Sequence, residues 1–568
     1  MGESRRQESS LQSDPIKVSV CEQVAGIMWP GGIILVLELC TSVIHRVRVP
    51  GEAVCVLVFS AMSTKTIGVP PARGLEPETL AHSIGIGLLV TLVARFAGLG
   101  RTAIFVRLMD RAELGTWAIS NNTIQLLSIV LVLGIPAGIC RYVDRFQRDG
   151  QFRWLLKHLV GFSVAICLLT CVGGVIWSRP LAHLVYEDPG HTTLTVLTCL
   201  CGLSLVVFNI VQGILQGLRV YRINAWMLLC QSVGFAFIGA MLLACWRPDA
   251  VAGASAFLVT TIAVTAVPCW MIWSKTRTEP LCAGSQGAVG LWRQILTYSL
   301  ATWGTGSLVT LNRVLDRYML VHAGTMSVDQ CLRQVGAYHI VETVTSPLLA
   351  LGGLLSTLML PHAVHLWEAL RNDETRHMIQ LGTKLTVLGL TFGGACIVVL
   401  KRVILVEIFG DVTMESGDLL EIVLVTTIVL GAYHTVRSYM LCSERPVALT
   451  AIWLGGLAIN VMLNLLLIPI LQVKGAALAC LISSVVSTAV VMALTHRAGL
   501  KLSGSTWAVC ALPAVLLVSP ALMLGGLALA TGLVLCTDWL LSTEEKEALN
   551  AWLAQRLARR SVGGGVPA

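Results

Sequence analysis

The sequence predicts an all-α polytopic membrane protein of about fourteen transmembrane helices: two six-helix pseudo-repeated lobes followed by two C-terminal helices. Three observations lead there. Of 568 residues, 55% are hydrophobic and 13% charged, about half the charged share of a soluble domain, and mean hydropathy is +0.77. Apolar segments recur along most of the chain, and about 20 residues at about 1.5 Å each suffice to cross a bilayer. Sequence landmarks from the first half also return in the second at a nearly constant offset.

Composition removes several function classes. So many spans leave no length for a large extramembrane catalytic domain. The net charge of +8 comes from Lys and Arg in short loops, which orients a membrane protein and does not point to nucleic acid. Eighteen cysteines lie singly in apolar runs without a C-x-x-C pair, so they read as small buried hydrophobes, with no disulfide, metal or cofactor implied. A G-x-x-x-x-G-K-[ST] loop is missing, so ATP is not the direct fuel and the chain reads as a transporter, with no catalytic residue assigned.

Residues 1–78 form an N-terminal extension without the basic, apolar and small-residue succession of a signal peptide; its apolar run from Val24 to Ile44 is interrupted by Pro30 and Glu38. A first lobe, 79–273, contains spans near 80–106, 117–140, 154–177, 193–215, 225–246 and 251–273. After a polar linker, 274–292, a second lobe over 293–496 contains spans near 293–321, 336–361, 380–404, 420–442, 447–471 and 474–495. Residues 497–541 supply two closely joined spans. The tail, 542–568, opens on a capping box, Ser542 with Glu545, and sets Leu549, Trp552, Leu553 and Leu557 against basic residues, as for a helix lying on anionic lipid.

Loop charge orients the array. Arg141, Arg145, Arg148 and Arg153 follow span two, Arg219 and Arg222 span four, and Lys275, Arg277 and Arg293 span six, whereas the loop from Gly410 to Asp418 carries only acids. By the positive-inside rule the even loops and both core ends are cytoplasmic.

The seventh span is where charge has to be explained. Its apolar run from Ser299 to Val321 contains Arg313, Asp316 and Arg317, and each ionised group near mid-membrane costs about 2.5–3.5 kcal/mol. The i, i+3, i+4 spacing places them on one face, away from lipid, where Asp316 reaches Arg313 and one guanidinium stays free for an anion. A helix-locking ion pair is the bland alternative.

The repeat extends the face. Gly115-Thr-Trp-Ala recurs as Gly336-Ala-Tyr-His (336 − 115 = 221), Pro136 as Pro361 (361 − 136 = 225), and Gly253-Ala-Ser-Ala as Gly475-Ala-Ala-Leu (475 − 253 = 222). With six spans per unit, both halves enter from the same side around an axis along the membrane normal, and a cavity between the lobes follows. A shift of 221 maps Arg95 onto Asp316, Asn121 onto Glu342 and Gln125 onto Ser346. Cavity residues are therefore expected to be Arg95, Arg101, Asn121, Gln125, Arg313, Arg317 and His339, with Asp316 and Glu342 as carboxylates for a coupling H⁺ or Na⁺. The stripe of Asn121, Gln125 and Ser128 reads equally well as hydrogen-bonding glue between helices.

From Leu457 to Ser484 the chain resembles the bacterial polysaccharide and lipid-linked oligosaccharide flippases of the multidrug/oligosaccharidyl-lipid/polysaccharide superfamily. Asn460, Asn464, Leu467, Ile468, Pro469, Gly475, Ala476, Ala477 and Ala479 carry the likeness, with Leu114-Gly115, Trp117, Leu133 to Pro136 leading to Arg141, Asp316-Arg317, and Leu540 to Glu545. It covers about 80–550. The resemblance implies fourteen helices in two lobes and export of an anionic polyprenyl-diphosphate-linked glycan by alternating access. The partners it implies are that lipid-linked glycan, membrane lipids, H⁺ or Na⁺ and polysaccharide-biosynthesis proteins. Three rivals stay open: a multidrug or organic-cation antiporter of the same fold, a peptidoglycan lipid-precursor flippase, and a membrane-embedded glycan polymerase or ligase. For the last, His183, Glu187, Asp188 and His191 form the main outer cluster, and His362, His365 and Glu368 have metal-like spacing at a helix end, but loop placement and the lack of a matching pair favour structural roles.

Overall fold

The computed structural model describes residues 77–537, except 149, 219, 278–286, 325, 411–416, 444 and 519, together with Lys546. The N-terminal extension up to 76, residues 278–286 of the linker and the amphipathic tail apart from Lys546 lie outside the described residues. The chain divides into two compact units, residues 1–82 with 244–246, and residues 83–243 with 247–568; all that follows concerns the second.

Every regular element among the described residues is helical. The first half runs α1 (Pro77–Leu108), α2 (Arg111–Val132), α3 (Ile135–Arg148), α4 (Phe152–Ile176), α5 (Ser178–Tyr186), α6 (Thr192–Gly217), α7 (Tyr221–Cys245) and α8 (Ala250–Thr276). The second runs α9 (Gly287–Ala323), α10 (Val328–Glu368), α11 (Asn372–Val399), α12 (Gly417–Cys442), α13 (Pro446–Leu471) and α14 (Val473–Thr495), then α15 (Gly504–Ala511) and α16 (Pro520–Cys536). Nine of these helices are long and apolar enough to cross a membrane, and two shorter apolar helices follow them. The long helices α1, α2 and α9 interleave with polar residues and are not among the nine.

Local chemistry places the ends. Asp110 caps α2 by accepting from the Ala112 amide at 3.3 Å, Asp249 caps α8 through Ala252 at 3.0 Å, and Ser327 caps α10 through Gln330 at 3.4 Å. Within the apolar helices, threonines satisfy their hydroxyls on the carbonyl one turn back, as Thr260 does on Ala256 and Thr391 on Val387, both at 2.7 Å. Outward positions of α4 such as Leu168, Leu169 and Ile176 are exposed apolar residues, the face a lipid-embedded helix presents.

The two halves repeat in element order. Helix α6 packs on α2, α3, α4 and α8, and α12 packs on α10, α11 and α14; their first residues differ by 417 − 192 = 225, and those of α7 and α13 by 446 − 221 = 225. One difference breaks the likeness. Span two is not continuous: Leu133 (φ 48°) and Gly134 (φ 67°) end α2 and start α3, whereas α10 runs unbroken over 41 residues. Gly134 is needed there because a Cβ would lie 2.5 Å from the Ser299 carbonyl oxygen of α9.

The repeated glycines Gly115 and Gly336 face each other. A Cβ on Gly115 would overlap the Leu332 carbonyl of α10, and one on Gly336 would sit 2.8 Å from the Arg111 carbonyl oxygen of α2. Helices α2 and α10 therefore cross backbone to backbone, as small residues allow in membranes.

Candidate functional site

Helix α9 holds the centre of the site, because its polar residues point two ways. On one face Arg313 and Arg317 both donate to Glu342 of α10, Arg313 to one carboxylate oxygen and Arg317 to the other. The Arg317 guanidinium also lies over the Tyr338 ring, 5.3 Å from its centroid, one turn before Glu342 on α10. Arg317 is buried at 2% exposure, while the Arg313 side chain stays 40% exposed. The cluster thus has one sealed cation and one that reaches open space.

The expected pairing of Asp316 with Arg313 is corrected here. Asp316 is fully buried and turns toward α13, where its Oδ1 accepts from Asn460 Nδ2 at 2.9 Å and from Asn464 Nδ2 at 2.8 Å. Asn464 also donates to Asn460 Oδ1 at 2.9 Å, and the buried Cys480 thiol of α14 hydrogen-bonds to the Asp316 carboxylate. Neither guanidinium is free either, because Glu342 supplies one oxygen to each. The physical reason is reach: a carboxylate across a helix interface takes both cations head-on, whereas a neighbour on the same helix must bend back along it.

The other expected residues fall into one electrostatic neighbourhood, apart from the α2 pair. Arg95 is exposed on α1, and its charge repels that of Arg313; Arg101 repels Arg95 and stacks 4.4 Å over the Phe235 ring of α7. His339 is buried beside Glu342 and feels the charges of Arg317, Glu342 and Arg101. Counting formal charges, Arg95, Arg101, Arg313 and Arg317 against Asp316 and Glu342 leave a surplus of two positive charges, 4 − 2 = 2. Asn121 is half-buried, and Gln125 is exposed to a cavity that it lines.

That cavity has a volume of about 350 Å³ and is lined by four helices, α3 contributing Pro136 and Ala137. Gln125, Ser128 and Val132 come from α2, Asn209, Gln212 and Gln216 from α6, and Trp303, Gly306 and Thr310 from α9. Each trio is spaced i, i+3, i+7, the spacing of one helical face. The α9 stripe continues through Arg313 and Arg317, and from Thr310 to Arg313 the rise is about 4.5 Å, so the cavity wall runs directly into the arginine cluster.

Polar bridges tie the two halves together beyond α2's first turn. Asp110 lies 3.7 Å from Arg333, Glu187 3.9 Å from His322, and Arg107 donates to the Glu407 carbonyl at 2.7 Å.

Sequence reasoning missed two features. Asn460 and Asn464 enter it only as marks of resemblance, although two asparagines one turn apart in an otherwise apolar helix point to a buried polar partner. Asn209, Gln212 and Gln216 were also legible as a polar face within span four.

Residues 80–359 match the family model described as polysaccharide biosynthesis protein. Several solved structures share the fold at low identity. A multidrug resistance MATE family transporter of the MOP superfamily, inward-facing, aligns at 12% identity and TM-score 0.54, covering 74% of this chain and 99% of its own. The lipid II flippase MurJ in an inward closed conformation aligns at 12% identity and TM-score 0.58, covering 78% and 98%. A MOP superfamily transporter from Pyrococcus furiosus, described as having a binding pocket of reverse polarity, aligns at 14% and TM-score 0.52, covering 75% and 96%. No curated protein matches the sequence.

Proposed function

We propose, for a chain whose residues 80–359 match the polysaccharide biosynthesis protein family, that it is a flippase for an anionic polyprenyl-diphosphate-linked glycan. One observation supports this above the others: two guanidiniums share the single carboxylate of Glu342, one of them half-open to the interior space. Glu342 acts as a stand-in anion. A diphosphate entering beside Arg313 offers more acceptor oxygens in the geometry that guanidinium prefers, so it displaces the carboxylate without leaving either cation bare. The two surplus positive charges match the two negative charges of a diphosphate diester.

The same charge balance opposes an organic-cation cargo, which an arginine surplus would repel. Moving two negative charges outward from a negative interior releases about 4.6 kcal/mol per 100 mV, so membrane potential contributes to the driving force. The positive-inside reading puts the Arg141-rich end at the cytoplasm. The bridges Asp110 to Arg333 and Glu187 to His322 then close the outer end, and the amide cavity lies toward the cytoplasmic one.

Coupling, in this reading, belongs to Asp316. A buried carboxylate held by two amides and the Cys480 thiol rather than by an arginine keeps its charge for H⁺ or Na⁺, and the amide oxygens of Asn460 and Asn464 complete an oxygen-rich cradle for a small cation once the amides rotate.

The test is translocation in proteoliposomes with an accessible-head-group assay. Arg95→Ala and Arg317→Ala are expected to insert normally and to stop lipid-linked sugar from reaching the opposite leaflet. Wild-type rates in both variants would overturn the proposal.

A further inference from the structure

The cavity beside the arginines carries a more specific message about cargo. Its lining side chains include no Lys, Arg, Asp or Glu; they offer the carboxamides of Gln125, Gln212, Gln216 and Asn209, the hydroxyls of Ser128 and Thr310, and the indole of Trp303. Two groups are already committed. Asn209 Nδ2 donates to Ser128 Oγ at 2.9 Å, and Trp303 Nε1 donates to the Ile129 carbonyl at 2.8 Å, which fixes the plane of its ring. The three glutamines make no side-chain hydrogen bond among the described residues.

Glutamine carboxamides present a donor and an acceptor side by side, which is what vicinal hydroxyls or an N-acetyl group require. A ring held edge-on by its own hydrogen bond gives a flat apolar wall for the C–H face of a pyranose. The lining itself offers an ionised group no counter-charge, the nearest being Arg313 about one turn along α9, and desolvating it unpaired is costly. A volume of about 350 Å³ is at the small end of the range of about 300–1,000 Å³ for small-molecule sites, so it suits a single sugar unit better than a chain. The stripe on α9 then places that unit next to Arg313, about 4.5 Å along the helix.

We propose that this amide-lined cavity is a subsite for an uncharged, hydroxyl-rich sugar, the unit directly attached to the diphosphate. The inference rests on the flippase reading and adds the sugar class. Glutamine positions on α2 and α6 select the first sugar, while arginines on α9 hold the charge.

The experiment compares wild type with the double variant Gln212→Ala/Gln216→Ala in proteoliposomes, using three probes. They are a polyprenyl diphosphate carrying one N-acetylglucosamine, the same lipid carrying one glucuronic acid, and the unglycosylated polyprenyl diphosphate. Two lost hydrogen bonds at about 0.5–1.5 kcal/mol each give a loss of about five- to 150-fold for the N-acetylglucosamine lipid. The unglycosylated lipid is expected to move at the same rate in both proteins, which also shows that the variant is folded. Wild type is expected to disfavour the glucuronic acid lipid. Unchanged transport of the N-acetylglucosamine lipid, or an equal fall for glycosylated and bare lipid, overturns the subsite. Direct binding of soluble N-acetylglucosamine to purified protein separates the two readings. Binding lost in the double variant supports the subsite even where no lipid is flipped, which would instead sink the flippase reading. No saturable binding to wild type overturns the subsite whatever the transport result.

Discussion

The two faces of α9 bury charge in opposite ways. Toward α10, Arg313 and Arg317 are neutralised by the carboxylate of Glu342; toward α13, Asp316 is solvated by the amides of Asn460 and Asn464 without a direct cation. An ion pair of the first kind can trade one anion for another, since breaking it leaves the cations costly unless a new anion arrives. A carboxylate of the second kind keeps its charge open to a small cation, because amides stabilise without neutralising. In the proposed scheme one helix would carry an anion-exchanging face and a cation-accepting face within one turn.

Breaking the first face has the largest expected effect. Arg317→Ala removes the sealed cation and leaves Glu342 with one partner, and loss of one member of a buried pair is typically worth about 3–5 kcal/mol. Translocation of a diphosphate-linked lipid is expected to fall by about a hundredfold or more. Arg317→Lys is expected to recover little of it, since an ammonium lacks the planar fork; full recovery by lysine would mean that charge alone matters there.

Glu342→Gln sharpens the same comparison. With the stand-in anion gone, both guanidiniums await an anion, so cargo is expected to bind about tenfold more tightly while its maximal transport rate falls, the pattern of stronger ground-state binding. A weaker apparent affinity in a concentration series would count against the exchange scheme.

Asp316→Asn tests the second face. Stimulation by a Na⁺ or H⁺ gradient is expected to vanish while transport driven by membrane potential alone persists at about the wild-type level. Measuring uptake with each gradient imposed separately decides it, and preserved gradient dependence would remove Asp316 from coupling. Asp316 and Arg317 are consecutive residues whose charges interact, so in potential-driven transport the double variant Asp316→Asn/Arg317→Ala is expected to depart from additivity by about 0.5–3 kcal/mol.

The smallest effect is expected away from α9. Arg333→Ala loosens the bridges to Asp110 and Asp329, both solvent-exposed, and exposed pairs contribute about 0.2–1 kcal/mol. Labelling of a cysteine placed near Asp110 should rise about two- to fivefold as that end opens more often.

How far the site was legible depended on the kind of signal. Charge in an apolar run cannot be concealed, so Arg313, Asp316, Arg317 and Glu342 stand out in the sequence; their partners do not. The expected bond from Asp316 to Arg313 followed helix spacing, which knows only neighbours on the same helix, whereas the partners lie 144 and 148 residues away at Asn460 and Asn464, and 29 and 25 residues away at Glu342. The break after Val132 was hidden in the same way. Leu133-Gly134 in an apolar run reads as continuous span, and only the approach of the Ser299 carbonyl on α9 requires glycine with positive φ there.

By itself the sequence determined the all-helical membrane class and the helices that carry charge. Each follows from local chemistry: backbone groups in lipid must be bonded within a helix, apolar length measures a span, and side-chain spacing assigns a face. The tertiary structure decided which charge meets which, that Gly115 and Gly336 bring α2 and α10 into backbone contact, and that three separate polar faces close around one uncharged cavity. Those outcomes belong to packing between helices remote in sequence, where position is set by the summed fit of many side chains and no single spacing encodes it.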